Sequence, residues 1–131
     1  MYHTIIVVGN VGKDAEMRYT PSGAAVTSFS VAANNQYTSS SGEQVKETVW
    51  FRVSAWGKLA EICNQYVKKG MLVLVEGRLN ADPQTGGPRL WGDPVRASFE
   101  ITAQTVRFLS SRGETEQDVG GMLPPNDDDP F

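Results

Sequence analysis

A chain of 131 residues, 40% apolar and 21% charged, has room for one compact domain and a short extension but no second core. Its single cysteine, Cys63, excludes an intrachain disulfide and a Cys-rich zinc site, and its single histidine, His3, removes most metal and acid–base constellations, so the composition argues against catalysis. The net charge of −3 is held unevenly: residues 1–109 carry 11 Lys+Arg against 9 Asp+Glu, a balance of +2, while residues 110–131 carry Arg112 against six carboxylates, a balance of −5.

No apolar run approaches the length of a bilayer span, and the first residues lack the basic stretch, apolar core and cleavage site of a secretory signal. The expectation is a cytoplasmic protein. Alternating apolar and polar residues predict five strands, over 2–8, 25–35, 47–56, 71–79 and 95–109, with Gly, Pro, Asn and Ser clusters between them. Gly9-Asn10-Val11-Gly12-Lys13 has a superficial likeness to a phosphate loop, but it lacks the Walker spacing and no helical pattern follows, so it reads as a strand-ending turn. Between the third and fourth strands, Leu59, Ile62, Cys63, Tyr66 and Val67 recur at helical spacing and predict a helix over 58–69. Lys68-Lys69 suit the C-terminal end of its dipole, and Gly70 is placed to supply a left-handed cap. Five strands with one helix between the third and fourth is the element order of an all-β OB-fold, a partly open Greek-key barrel.

Beyond residue 109 the chain is poor in aromatic and branched apolar residues and rich in Gly, Glu, Ser and Pro. Residues 110–126 are therefore expected to be a disordered linker, ending in an acidic tip over 127–131.

The third strand holds the most information. Side chains alternate faces, so Val49, Phe51, Val53 and Ala55 point one way, toward a core, and Trp50, Arg52, Ser54 and Trp56 the other. Two tryptophans around an arginine look like a platform on which flat ligands stack, with the guanidinium free for a phosphate. The strand alone leaves a second reading open, that this face is buried beneath a loop or a partner subunit. Other residues favour the first. Tyr37 at the end of the second strand and Trp91 in the Gly/Pro-rich connection 82–94 can both reach over the sheet. Cations are spread through the body, at Lys13, Arg18, Lys46, Arg52, Lys58, Lys68, Lys69, Arg78, Arg89 and Arg96. Interleaved with aromatics they form the pattern of a single-strand binder, in which charge follows phosphates while rings stack bases. Cys63 lies on the apolar stripe of the helix, and Glu76 and Glu100 are isolated, with nothing in the sequence to pair them as acid and base. A metal-dependent nuclease is disfavoured because no carboxylate cluster has ligand spacing.

The chain resembles the bacterial single-stranded DNA-binding proteins over nearly its whole length. The likeness rests on Val8-Gly9-Asn10-Val11-Gly12-Lys13-Asp14, Arg18-Tyr19-Thr20-Pro21-Ser22-Gly23, Trp50 with Arg52-Val53, Trp56-Gly57-Lys58-Leu59-Ala60-Glu61, Tyr66-Val67-Lys68-Lys69-Gly70, Val75-Glu76-Gly77-Arg78-Leu79 and the acidic end in Pro130-Phe131. The resemblance implies an OB-fold homotetramer that wraps single-stranded DNA without sequence preference, needs no cofactor and works in the bacterial cytoplasm on the nucleoid. It places the stacking rings at Tyr37, Trp50 and Trp56. Phosphate contacts fall at Arg18, Arg52, Lys58 and Lys69, to which the basic pattern adds Lys68 and Arg78. The tip, Asp127-Asp128-Asp129-Pro130-Phe131, would recruit replication, recombination and repair proteins. Phe131 would enter an apolar pocket and the carboxylates would face Arg or Lys. Three departures stand out. Gln84 occupies a position that is tryptophan in the family, with Trp91 as a substitute; Phe51 stands where a histidine often makes a subunit contact; and the linker is short.

Overall fold

The computed structural model describes residues 1–110; the expected tip and the remainder of the expected linker lie outside the described residues. Seven strands and one helix follow in order: β1 (Ile5–Val11), β2 (Glu16–Tyr19), β3 (Ala25–Thr38), β4 (Gln44–Trp56), α1 (Lys58–Tyr66), β5 (Leu72–Leu79), β6 (Arg89–Trp91) and β7 (Arg96–Phe108). Five of them close a ring in the order β1–β5–β7–β4–β3. The last returns to β1 through Asn10↔Ala32 and Val11↔Val31. Among the described residues only the β4–β7 pairing is parallel. This is the OB-fold barrel expected from the element order, with the helix between its third and fourth long strands.

The two additional strands are short. β2 adds an edge to β3, and β6 forms a ribbon with β7. With four and three residues they are too short to display an alternation pattern, and backbone pairing alone defines them. β1 also differs from expectation, starting at Ile5 and running through Gly9-Asn10. Gly9 is not a break: a Cβ there would fall 2.3 Å from the Ala32 carbonyl oxygen, so its missing side chain is what lets β1 cross from β5 onto β3 and close the barrel.

Phe29, Val31, Val53, Ala55, Val73, Val75 and Ile101 fill the interior, and Ala60, Cys63 and Val67 cover it from the helix side. Thr27, the buried polar residue among these strands, donates its hydroxyl to the Ala60 carbonyl and so ties β3 to α1. The helix stops at Tyr66 rather than at Lys69. Val67 is extended and fully buried, and sinking it into the core takes the chain out of helical geometry. Lys68 and Lys69 therefore sit beyond the last helical turn. Gly70, at φ +91°, belongs to a turn closed by Met71 N–H donating to the Lys68 carbonyl, not to a helix cap. That turn is fastened to β1, since Gly70 N–H donates to Val11 and Val11 N–H donates to Met71. Phe51, expected in the core, is only half-buried. It marks the first register position of β4 against β7, opposite Phe99, so its ring sits at the rim with the Phe99 ring 5.9 Å away. Among the described residues no helix is long and apolar enough to cross a membrane.

Candidate nucleic-acid interface

Residues directly opposite one another on paired strands share a face, so the ladder registers give the outward surface row by row. Arg18, Val26 and Trp56 form one row across β2, β3 and β4; Glu16, Ser28 and Ser54 form the next. Ser30 and Arg52 continue into Glu100 on β7, and Ala32 lies opposite Trp50. Down the middle strand, past Val26, the residues Ser28, Ser30 and Ala32 are small, while Glu16 and Arg18 on β2 and Trp50, Arg52 and Trp56 on β4 flank them, with Ser54 the one small neighbour. The sheet therefore carries a trough whose walls are rings and cations.

Trp50 and Trp56 are 53% and 46% exposed, and Arg52 is exposed between them. Of the two coverings left open by the sequence, a loop of the chain does not bury this face among the described residues. Trp50 is seated on Gly12: a Cβ there would lie 2.7 Å from indole Cζ3 and 2.8 Å from Ser30 Oγ. The turn after β1, whose role was opaque in the sequence, thus serves as the seat of the indole.

A groove of about 620 Å³ opens at this end of the face. Its lining includes Trp50, Arg52, Arg18 and Lys13, the rings of Phe51 and Phe99, and Trp91 and Ser98 from the β6–β7 ribbon. Trp91 is 48% exposed; its indole N–H donates to Ser98 Oγ, and the Arg96 guanidinium lies over its ring at 5.5 Å. Three of the expected site residues besides Trp50 are therefore brought together here: Arg18, Arg52 and Trp91. Trp56 shares the face but lies six residues further along β4, roughly 20 Å at strand rise, in the same row as Arg18 with Val26 of β3 between them.

The other expected residues lie elsewhere. Tyr37 is near the tip of the β3–β4 hairpin opposite Val45, which puts it in the alternate parity of the ladder from Trp50. Lys58 opens α1, and Lys68 and Lys69 occupy the turn after it, where Lys69 N–H donates to Asp14 Oδ1. Arg78 lies on β5 with its guanidinium 6.0 Å from the Tyr2 ring centre and does not line the groove. Asp127, Asp128, Asp129, Pro130 and Phe131 lie outside the described residues.

Several groove residues were not singled out from the sequence. Phe99 looked like one more strand residue and Ser98 carried no signal, and Arg96, which lies over the Trp91 ring without lining the groove, looked like one more surface cation. Only the direct pairing of Trp91 with Arg96 reveals them, and a three-residue strand cannot be read from alternation. The chemistry available is stacking on exposed indoles and charge from Lys13, Arg18 and Arg52, opposed by Glu16. Among the described residues no three of His, Cys, Asp and Glu gather to hold a metal ion.

A profile of the Single-strand binding protein family matches residues 2–109. Similar chains include the single-stranded DNA-binding protein of Wolinella succinogenes, 36% identical over 116 residues, 88% of this chain and 69% of that protein. That of Neisseria meningitidis serogroup A is 37% identical over 110 residues, 84% of this chain and 61% of the relative. Single-stranded DNA-binding protein 1 of Chlorobaculum tepidum is 43% identical over 112 residues, 82% and 65%. The chain thus spans between 61% and 69% of the length of these relatives. Among solved structures, the Plasmodium falciparum SSB complex with ssDNA superposes with a TM-score of 0.67 at 21% identity, covering 84% of this chain and 96% of that one. A deletion mutant of the single-stranded DNA binding protein from Thermus aquaticus gives 0.64 at 26% identity, covering 85% and 52%.

Proposed function

This chain belongs to the single-strand binding protein family, and we propose that it binds single-stranded DNA without regard to sequence and protects it during replication, recombination and repair. One observation carries the reading: two half-exposed tryptophans bracket an arginine on the outward face of β4, above a floor of small side chains, with Arg18 and Lys13 alongside. Every base has a π-face, so stacking of roughly 1–3 kcal/mol per base is blind to sequence, and phosphate neutralisation adds a salt-dependent contribution that is equally blind. Duplex DNA keeps its base faces in the stack, which gives the preference for single strands.

In this reading Trp50 and Trp56 are the principal stacking rings, Trp91 and Tyr37 extend the path, and Arg18, Arg52, Lys58, Lys68, Lys69 and Arg78 contact phosphates. Their dispersal around the barrel fits a strand that travels over the surface of a homotetramer rather than one confined to a single groove. The tip, residues 127–131, recruits partner proteins through Phe131 and its carboxylates, and the protein performs no catalysis of its own.

Titration of the intrinsic tryptophan fluorescence with oligo-dT at two salt concentrations tests the central claim. Quenching should saturate at a fixed number of nucleotides per protein and weaken with salt, and Trp50→Ala should lower affinity at least tenfold. A single strand that leaves the fluorescence unchanged, or one that duplex DNA displaces as readily as single-stranded DNA does, would overturn it. For the tip, removal of residues 127–131 should leave oligo-dT binding intact or tighter while abolishing capture of a purified replication helicase; undiminished capture would refute its assignment.

A further inference from the structure

We propose that the β3–β4 hairpin carries a specificity-determining position, in which Asn34 donates its side-chain amide to the carbonyl oxygen at position 4 of a pyrimidine and Thr48 is the positioning residue that holds it. The outcome is a bias toward uracil and thymine over cytosine in an otherwise sequence-blind protein. The inference rests on the single-stranded DNA reading above and deepens it, because stacking and phosphate contacts do not by themselves distinguish one pyrimidine from another.

The face that carries Trp50 continues past it toward the hairpin tip. The row Ala32↔Trp50 is followed by Asn34↔Thr48 and then by Gln36↔Lys46, each about 7 Å further along at strand rise, and all four of these side chains are exposed. Rings and guanidinium groups give way here to amides, a hydroxyl and an ammonium. A second hollow, of about 430 Å³, is lined by Asn34, Asn35, Gln36, Lys46 and Thr48. It offers hydrogen bonds and no π-face, so what it can recognise is the edge of a base rather than its plane.

The chemistry of that edge follows from how the hollow's groups are already engaged. An exposed amide would ordinarily turn freely, but Thr48 Oγ1 donates to Asn34 Oδ1 at 2.6 Å, and Thr48 is β-branched and stiff about χ1. The acceptor end of Asn34 is thereby occupied and its Nδ2, which carries two donors, is the end presented. Lys46 in the next row adds a second donor, while Gln36 offers donor and acceptor alike and so does not discriminate. Glu47, whose carboxylate would suit an amino group, has the alternate parity of the ladder and accepts from Asn35 Nδ2 at 3.3 Å. Among the described residues no carboxylate lines the hollow. Thymine and uracil carry an acceptor, O4, where cytosine carries the donor N4–H₂. A donor-rich hollow one row from a stacking ring therefore matches the first two and opposes the third.

The test is the ratio of affinities for oligo-dU and oligo-dC of equal length, followed by anisotropy of the labelled strands. Asn34→Asp keeps an acceptor for Thr48 and replaces the amide donor with an oxygen that accepts from cytosine N4–H₂. Its charge should weaken both strands, and the dU:dC ratio should fall about threefold or more, as for one hydrogen bond exchanged. Asn34→Ala, which removes the donor without adding charge, should lower the ratio about twofold. Thr48→Val, which lacks the hydroxyl, should do the same, with Thr48→Ser restoring the native ratio; a merely structural threonine would change both affinities together and leave the ratio alone. A native ratio in Asn34→Asp and Asn34→Ala overturns the base-reading role of Asn34. A native ratio in Thr48→Val, or one that Thr48→Ser does not restore, overturns the positioning role of Thr48. A native chain that binds neither oligonucleotide overturns the underlying single-stranded DNA reading instead, and the absolute affinities distinguish that failure from the others.

Discussion

The two faces of β4 differ in a way that separates folding from recognition. Inward, Val53 and Ala55 are fully buried; outward, Trp50 and Trp56 stand half-exposed on either side of Arg52. Large rings outside and small aliphatics inside invert the placement that burial energetics favours. The inward half follows from the barrel: a five-stranded ring has a narrow lumen, in which Val and Ala pack in one cluster with Phe29 and Ile101. The outward half has no such cause within the chain, and it coincides with the trough of small residues on β3. Toward its C-terminal end the strand therefore holds stability in Val53 and Ala55 and recognition in Trp50, Arg52 and Trp56, while Phe51, half-buried at the rim, borders the groove as well.

The sharpest way to break that separation is Val53→Asp. A carboxylate with no partner in the lumen should abolish the cooperative thermal transition altogether, since burying an unpaired charge exceeds the whole stability of a domain this size. Trp50→Ala should do the reverse, losing at least tenfold in oligo-dT affinity while the thermal midpoint moves by only a few degrees. If Trp50→Ala unfolds the protein, the ring is structural and the contrast between the faces is lost. Gly12→Ala probes the seam between the two. The new methyl would come within 2.7 Å of Trp50 Cζ3, so the indole must shift. Affinity should fall about two- to fivefold with a stability loss under about 1 kcal/mol, as a surface substitution touching one exposed ring. Wild-type affinity in Gly12→Ala would show that the seat is dispensable.

How much of this was legible beforehand follows from the same contrast. The five long strands and the helix are written as period-2 and period-3.6 patterns, and the outward face of β4 could be read from alternation alone, because one strand supplies Trp50, Arg52 and Trp56. What the sequence hid depends on pairing between distant segments. Gly9 and Gly12 look like turn punctuation until the Ala32 carbonyl and the Trp50 ring are found where their side chains would be. Arg96 looks like an ordinary surface cation until β6 places Trp91 opposite it. The end of α1 was overrun for a related reason: Val67 keeps the helical spacing, but its burial is achieved in an extended conformation that helical periodicity cannot distinguish.

The smallest predicted effect concerns the interior face of the helix. Burial of Cys63 raises its thiol pKa from 9.0 to about 11, because the lumen disfavours the thiolate. Below pH 9 the thiol is protonated in both folded and unfolded chains and makes stability no different. Between pH 9 and 11 the unfolded chain has lost this proton and the folded one retains it, so stability falls as pH rises through that window. The loss is at most about 2–3 kcal/mol for a shift of this size. The informative quantity is the difference between the native chain and Cys63→Ala, measured by urea unfolding at pH 8 and pH 10.5. Cys63→Ala should start lower in stability, for the volume it vacates, and lose less on going to the higher pH. Equal losses in both would mean that the thiol is solvated on the timescale of unfolding, and that the helix seals the barrel less tightly than its buried Ala60, Cys63 and Val67 require. Oligo-dT affinity at pH 8 should be the same in the two proteins, because Cys63 lies on the stabilising side of the division and does not line the groove.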